Sequence, residues 1–456
     1  MNDEAARFEA LKKRLLPIWE ALQRDPRFEH TSVIVPSLSV NQEELSKVVG
    51  AAYYEERLLF ALIRLRNPNA RLVYLTSQPV HPDIVDYYLH LLDGVPIRHA
   101  RQRLHMLSVQ DSGLRPLTEK VLERPRLIER LRRLVDDTEH AYLTCYNSTP
   151  LERRLALALD LPLNGLDPAL LHHGTKSGNR KIFAEAGVQY PAGFEDLEDE
   201  SQIVDALVEL GRLRPGAPRA VVKLNEGFGG EGNGLFTYPE QRDDRSAVEA
   251  ALRKLAWTSP AETYDSFMRK FRDMGGIVEE FIVAKESRSP SVQMRIHPNG
   301  EHALVSTHEQ VLGGATGQSY LGCRFPAQDD CRLAIQVEAE KVAAVLSGEG
   351  VVGRFAVDFF VCRDEAGHWQ SYAIEINLRM GGTTPPFHAL EFLTGGRLES
   401  DSGLFRALTG QTKFYSATDN LKSPAYRGLM PEDLFEIISR RGLNYRHATG
   451  TGVLFY

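Results

Sequence analysis

The chain has 456 residues, 43% of them hydrophobic and 25% charged, with a formal net charge of -7. That length can bury two or three cores of an ordinary globular protein, and the negative balance gives no general attraction to nucleic acid or to an anionic membrane surface. No apolar run approaches the roughly 20 residues needed to span a bilayer, and the first residues are acidic and basic rather than those of a signal peptide, so a cytoplasmic location is expected.

Phe8, Leu11, Leu15, Ile18 and Leu22 recur at helical spacing and predict an amphipathic helix over 4–23. Short β-rich runs follow at 32–35, 71–75, 104–109 and 141–145, separated by helical stretches such as 43–66 and 83–92. This βαβ rhythm implies a parallel sheet. The arginines between Arg98 and Arg154 interleave with Glu119, Glu123, Glu129, Asp136, Asp137 and Glu139, the pattern of solvated helix faces rather than of a nucleic-acid surface. Cys145, Cys323, Cys331 and Cys362 form no Cys-x-x-Cys pair and have no matching histidines, so reduced core thiols are expected and neither a disulfide framework nor a zinc site. His172 and His173 are adjacent and cannot share one face of a helix, which makes them structural or exposed.

The middle of the chain opens with a capped helix over 174–188 carrying Lys176 and Lys181, and later the strand 220–225 carries Lys223. That strand runs into Glu226-Gly227-Phe228-Gly229-Gly230-Glu231-Gly232-Asn233-Gly234. Its glycines match the dinucleotide fingerprint literally, but the fingerprint requires a helix next, and Leu235 to Pro239 is extended; the Walker pattern fails for want of a following Gly-Lys-Ser/Thr. A strand, a Gly-rich loop centred on Gly229 and Gly230, and a second strand suit a flap whose backbone N–H groups cover nucleotide phosphates, with Lys223 within reach. Taken alone, such a hairpin is equally a plain loop.

Two further runs, 354–361 and 372–377, flank the polar break 363–368 and predict a hairpin. Glu375 and Asn377 share one strand face, Asp358 can join them from the partner strand, and Ile374 and Ile376 point into the opposite layer. Two carboxylates and an amide oxygen are hard ligands of the kind Mg²⁺ takes when phosphates and waters complete its shell. A solvent-facing edge hairpin is the plainer reading. Against it, Val357, Phe359, Ile374 and Ile376 indicate a buried sheet, where unpaired carboxylates are costly.

These parts, in this order over about 176–396, resemble the ATP-grasp superfamily. The resemblance implies an α/β chain: a Rossmann-like N-terminal (pre-ATP-grasp) domain over 1–170, then a two-lobed α+β ATP-grasp fold. Its small lobe with flap and hinge would occupy 171–285, its metal-binding lobe 286–400, and a C-terminal segment 401–456. It implies ATP as cosubstrate with Mg²⁺, or alternatively Mn²⁺, held by Asp358, Glu375 and Asn377. Lys176 (or Lys181) and Lys223 would be the nucleotide lysines, the hinge 277–282 with Glu279, Phe281 and Ile282 would read the adenine, and Glu286 would hold the ribose. Arg379, in Glu-x-Asn-x-Arg, matches the arginine that steadies the activated carboxylate. More narrowly, 307–314 and 375–386 resemble the carboxylate–amine ligases typified by the peptide ligase of pheganomycin biosynthesis. The activity implied is amide or peptide bond formation between a small-molecule acid and an amine or peptide, through an acyl phosphate.

In that chemistry Lys176, Lys223 and the metal offset repulsion between a carboxylate and the triphosphate, and Arg379 with N–H groups around Gly381 and Gly382 stabilises the oxyanion. The segment from Gly313 to Pro326 reads as a second loop enclosing the acceptor against water. His308 and Glu309 are the candidate general bases. Rival functions are an acid–thiol ligase, a small-molecule kinase, and a nucleotide-binding regulator. Leu434, Ile437 and Ile438 predict a short C-terminal helix, and the apolar end Val453 to Tyr456 suits a buried strand, a homodimer contact or a chain that continues.

Overall fold

The structure is a computed structural model that describes residues 2–40, 42–47, 50–227, 232–258, 262–313, 317 and 319–456. Gly229 and Gly230 of the flap lie outside the described residues, as do Gly314, Ala315, Thr316 and Gln318.

Four parallel strands, β1 (His30–Val35), β2 (Ala70–Thr76), β3 (Leu104–Ser108) and β4 (Ala141–Cys145), form a sheet in the order β3-β2-β1-β4. The four β-rich runs of the sequence are these strands. The side chains of β1, β2 and β4 are largely buried on both faces, as a parallel sheet covered by helices requires, while the edge strand β3 is mostly half-buried. The opening helix Asn2–Arg24 packs with Phe8, Leu11, Leu15 and Ile18 buried. The stretch expected as one helix over 43–66 is instead a short α-helix, Gln42–Lys47, and a 3-10 helix, Ala51–Arg66. Gly50, at φ 76°, interrupts the α-helical path, a conformation that other residues adopt only with strain.

A second sheet is antiparallel, in the order β5-β9-β6-β7-β8, from β5 (Gly193–Leu197), β6 (Arg219–Leu224), β7 (Asn233–Thr237), β8 (Ala256–Trp257) and β9 (Gly276–Glu280). Here β6 and β9 run side by side with Val221 opposite Glu279. The helices Glu200–Leu213 and Tyr264–Met274 cover it, burying Ile203, Leu207, Phe267 and Phe271 against Val222, Phe236 and Val278.

A third, seven-stranded sheet comprises β10 (Ser287–Arg288), β11 (Pro290–Ile296), β12 (His302–Gly313), β13 (Ser319–Phe325), β14 (Gly353–Arg363) and β15 (Trp369–Asn377), with β19 (Tyr415–Ala417) at its edge beside β13. Between them in sequence, β16 (Arg397–Glu399), β17 (Leu404–Arg406) and β18 (Thr412–Lys413) make a small separate sheet. The helix Arg332–Gly348 lies on the third sheet, with Ile335, Ala339, Val342 and Leu346 against Val292, Met294, Phe355 and Val357. Of the segment expected as a second loop from Gly313 to Pro326, residues 319–325 are strand β13, hydrogen-bonded to β12 on one side and β19 on the other, and Gly314, Ala315, Thr316 and Gln318 lie outside the described residues. Beyond β19 the helix Pro431–Arg440 forms where the apolar spacing placed it.

Candidate active site

The hairpin of β14 and β15 sets Asp358 directly opposite Glu375, with Asn377 opposite Ala356. A register shift between Asp358 and Phe359 inserts Ile374 as the odd residue of a bulge. In consequence Ile376 enters the core as expected, whereas Ile374 faces the same cavity as Glu375, contrary to the strict alternation expected from sequence.

Lys176 reaches this hairpin from the first turn of the helix Lys176–Glu185. Thr175 caps that helix by accepting from Gly178 N. Its start is pinned to the end of β6, where the Lys176 and Ser177 N–H groups donate to Asn225 O and Oδ1. One turn on, Asn179 accepts from Ile376 N of β15. The helix therefore ties the second sheet to the third, and Lys176 Nζ meets Glu375 Oε1 at 2.5 Å. Lys181, the alternative lysine, is exposed and paired with Asp196 at 2.8 Å.

A cavity of about 670 Å³ lies between the second and third sheets. Lys176, Lys223, Glu279, Phe281, Ile282, Asp358, Glu375, Asn377 and Arg379 all line it. Lys223 is 7% exposed and forms an ion pair with Glu279, whose carboxylate also lies 3.6 Å from Arg180. The Arg219 guanidinium stacks 4.5 Å over the Phe281 ring and fixes the hinge. Glu286 is the exception among the described residues of the predicted nucleotide set. It is absent from the cavity wall, and its half-exposed carboxylate is held by Arg363 Nε at 2.9 Å.

The acids are poised for a cation. Asp358 Oδ1 accepts from Gln310 Nε2 at 2.8 Å and Oδ2 from Asn377 Nδ2 at 3.0 Å. Burial and the facing Glu375 push the Asp358 carboxyl up to about 6. Burial acts the same way on Glu375, but Lys176, Arg379 and Lys223 outweigh it and hold that carboxyl below its ordinary value. Two carboxylates in cross-strand register, one of them reluctant to ionise, with an amide beside them, form a donor set that fits Mg²⁺.

Neither candidate base holds its position. His308 is wholly buried among Phe325, Phe387 and Tyr415, with Nε2 2.6 Å from the Tyr415 hydroxyl, and burial pushes it down to about 3. Glu309 accepts from Ser289 N and is also absent from the cavity wall. The N–H of Gly381 is taken by Thr384 Oγ1 at 3.1 Å. Gly382 is packed so closely that a Cβ there would lie 2.8 Å from the Tyr320 ring.

Several lining residues carried no local signal. Tyr54, Arg57 and Tyr146 come from the N-terminal unit, Ser291, Gln293 and Gln310 from the floor of the third sheet, and Asp419, Asn420 and Lys422 from beyond β19. Arg57 and Asp419 pair at 2.8 Å across the cavity mouth. Only tertiary structure brings them together.

A sheet bearing a lysine and a hinge, with a second lysine on the helix pinned to it, facing a sheet bearing acids on a hairpin, is the division of labour of a nucleotide-dependent ligase. Residues 168–238 and 245–401 match the family described as IQCH-like, ATP-grasp, and residues 73–161 match the Pre ATP-grasp domain. The chain belongs to the ATP-grasp superfamily and is an ATP-dependent ligase of the carboxylate–amine kind. It is 33% identical over 434 residues to the L-propargylglycine–L-glutamate ligase of Streptantibioticus cattleyicolor, covering 93% of this chain and 87% of that protein. It is also 23% identical over 418 residues to the IQ motif-containing protein H of Danio rerio, covering 81% of this chain but 39% of that longer protein. Among solved structures, the biotin carboxylase of Campylobacter jejuni in complex with β,γ-ATP superposes with a TM-score of 0.51 at 15% identity, over 81% of this chain and 69% of that one. The biotin carboxylase domain of the Hydrogenobacter thermophilus 2-oxoglutarate carboxylase, crystallised with MgADP and bicarbonate, gives 0.50 at 13%, over 80% and 66%. These two likenesses establish the fold. No helix among the described residues is long and apolar enough to cross a membrane.

Proposed function

We propose that this chain joins the carboxylate of one amino acid or short peptide to the amine of another, through an acyl phosphate made with ATP. The observation that carries the reading is the Lys176–Glu375 contact. It links the helix pinned to β6 with a hairpin that also presents Asp358, Asn377 and Arg379 to the same cavity. The relative from Streptantibioticus cattleyicolor, named for joining two amino acids, supports the substrate class.

In this reading Lys176 and Lys223 leave Glu375 and Glu279 to meet the triphosphate, and the hinge at Glu279, Phe281 and Ile282 takes the adenine. Gly229 and Gly230 cover the phosphates. Asp358, Glu375 and Asn377 hold Mg²⁺, which when bound neutralises charge on the transferring phosphoryl group. A substrate carboxylate oxygen bonds to the γ-phosphorus as the bond to ADP breaks; the amine nitrogen then bonds to the acyl carbon and inorganic phosphate leaves. Arg379, with the N–H of Gly382, faces the oxyanion of that second step. Such a donor is typically worth about 3 to 4 kcal/mol. Glu286 has no part in this assignment.

The test is ADP release in the presence of amino-acid and dipeptide pairs, with mass analysis of the products. An amide that carries both substrates is expected. A thioester or a phosphorylated alcohol as the sole ATP-dependent product would overturn the amine assignment.

A further inference from the structure

A second cavity, of about 270 Å³, lies between the N-terminal unit and the start of β14. Besides Arg379, its wall carries the guanidinium groups of Arg64, Arg295 and Arg354. Arg295 and Arg354 are direct partners in the β11–β14 ladder. Like charges directly opposite on a sheet repel, and cations held in a protein wall need a counterion.

The protein supplies little neutralisation. Arg295 has one long contact, Nη2 to Asn164 Oδ1 at 3.5 Å, and its buried Nε has no hydrogen-bond partner. Arg354 makes no side-chain hydrogen bond or ion pair among the described residues. Arg64 donates to the hydroxyls of Ser32 and Thr144 rather than to an acid. The carboxylate whose charge reaches both Arg295 and Arg354 is Glu391, already paired with His388 Nδ1 at 2.9 Å. Burial and then Arg295 push Arg354 down to about 9, as befits a cation lacking a counterion.

Strand geometry connects this cluster to the active site. Ser291, Gln293 and Arg295 alternate onto one face of β11, and Asp358, Ala356 and Arg354 onto one face of β14. On each strand the first two line the catalytic cavity and the third lines the second cavity. Arg354 stands four residues from Asp358, roughly 13 Å along the strand. Tyr146 and Arg379 line both cavities. The sheet face is thus one floor, acidic at the reacting end and basic at the other.

We propose that the arginine end of this floor binds a carboxylate of the substrate remote from the reacting atoms, so that the ligase selects an acidic amino acid or a short peptide bearing a free carboxylate. The proposal rests on the ligase reading of the adjoining cavity. Planar guanidinium groups from two strands suit bidentate recognition of a carboxylate, and binding relieves their mutual repulsion.

Two measurements on the full chain test it. In thermal denaturation without ATP, L-glutamate, glutarate and a dipeptide with a C-terminal carboxylate are each compared with L-glutamine amide and inorganic phosphate. Carboxylates that exceed the neutral amide should raise the melting temperature of the wild type, and the rise should vanish in Arg354→Met and Arg295→Met. Without added anion, Arg354→Met should melt no lower than wild type, because it removes a repulsive charge. No stabilisation of the wild type, an equal rise in the variants, or stabilisation by phosphate alone would each overturn the proposal. In ligation kinetics, Arg354→Met should lower the preference for acidic over neutral amines or acids about tenfold, with the KM for ATP unchanged. If the wild type ligates nothing yet loses carboxylate stabilisation on substitution, the ligase reading fails and the anion site stands. If ligation proceeds with unaltered selectivity in Arg354→Met, the anion site fails and the ligase reading stands.

Discussion

Lys176 and Glu375 hold each other's charge across two sheets, and this pairing defines what single substitutions should do. Glu375→Gln removes an anion that Lys176, Arg379 and Lys223 all stabilise, and Asn377→Ala removes the amide beside Asp358. Neither side chain is part of the apolar core formed by Val357, Phe359 and Ile376. Both variants should lose at least about a hundredfold in ADP formation while keeping the wild-type melting temperature within a few degrees. Near-normal turnover in either would remove the metal assignment. Arg379→Met should lower kcat by some hundred- to thousandfold with little change in the KM for ATP, because its partner is charge that develops on the acyl centre. A raised KM for ATP with kcat preserved would place Arg379 on the nucleotide instead. At this scale the sequence was informative wherever chemistry and spacing coincided, as in Glu375-x-Asn377-x-Arg379. It gave no sign that the carboxylate of Glu286, whose spacing suited the cavity, would lie on Arg363. It failed for His308, a plausible base by type but buried among aromatic rings.

Strand pairing decides where those residues stand. Gly276 begins β9 where the backbone of β6 passes so close that a Cβ would meet Lys223 O at 2.2 Å and the Phe271 ring at 2.4 Å. Gly276→Ala must push β9 from β6, which separates Lys223 from Glu279 and disturbs the hinge that follows. Overpacking of this kind costs typically about 1 to 3 kcal/mol. A melting temperature lower by several degrees and a raised KM for ATP are expected together, checked by thermal denaturation and steady-state kinetics; an unchanged pair would mean that the strand contact does not set the site. The β-branched runs of β1 to β4 and of β14 and β15 were legible because composition and period agreed. In the loop expected from Gly313 to Pro326, the part 319–325 is strand instead, because Tyr320, Cys323 and Phe325 suit a strand once β12 and β19 flank it. The bulge at Ile374 left no mark in the sequence, since one extra residue alters facing without altering composition.

Taken whole, the molecule joins pieces distant in sequence: Arg57 pairs with Asp419 on the cavity wall, and away from the cavity Phe455 N donates to Tyr87 Oη. Such packing also buries His308 of β12 against Phe325, Phe387 and, on the edge strand β19, Tyr415, and the stability of the fold should therefore depend on pH. A free imidazole titrates near 6.5, whereas His308 in the fold titrates at about 3 and His388, on the helix Thr384–Thr394, at about 4. Between those values the unfolded chain binds protons that the folded chain refuses, so the sign is fixed: stability rises with pH through this window, is complete above about 6.5, and is lost as the solution is acidified. Each group contributes a slope of at most about 1.4 kcal/mol per pH unit. His308→Gln keeps a donor toward the Tyr415 hydroxyl but removes the titration. Urea unfolding at pH 5 and pH 7 should show a distinctly smaller difference in midpoint for the variant than for the wild type, with both close together at neutral pH. An equal acid-induced fall in the two proteins would mean that the His308 imidazole is not the source and would leave His388, whose lowered value gives the same sign over the same window, as the origin.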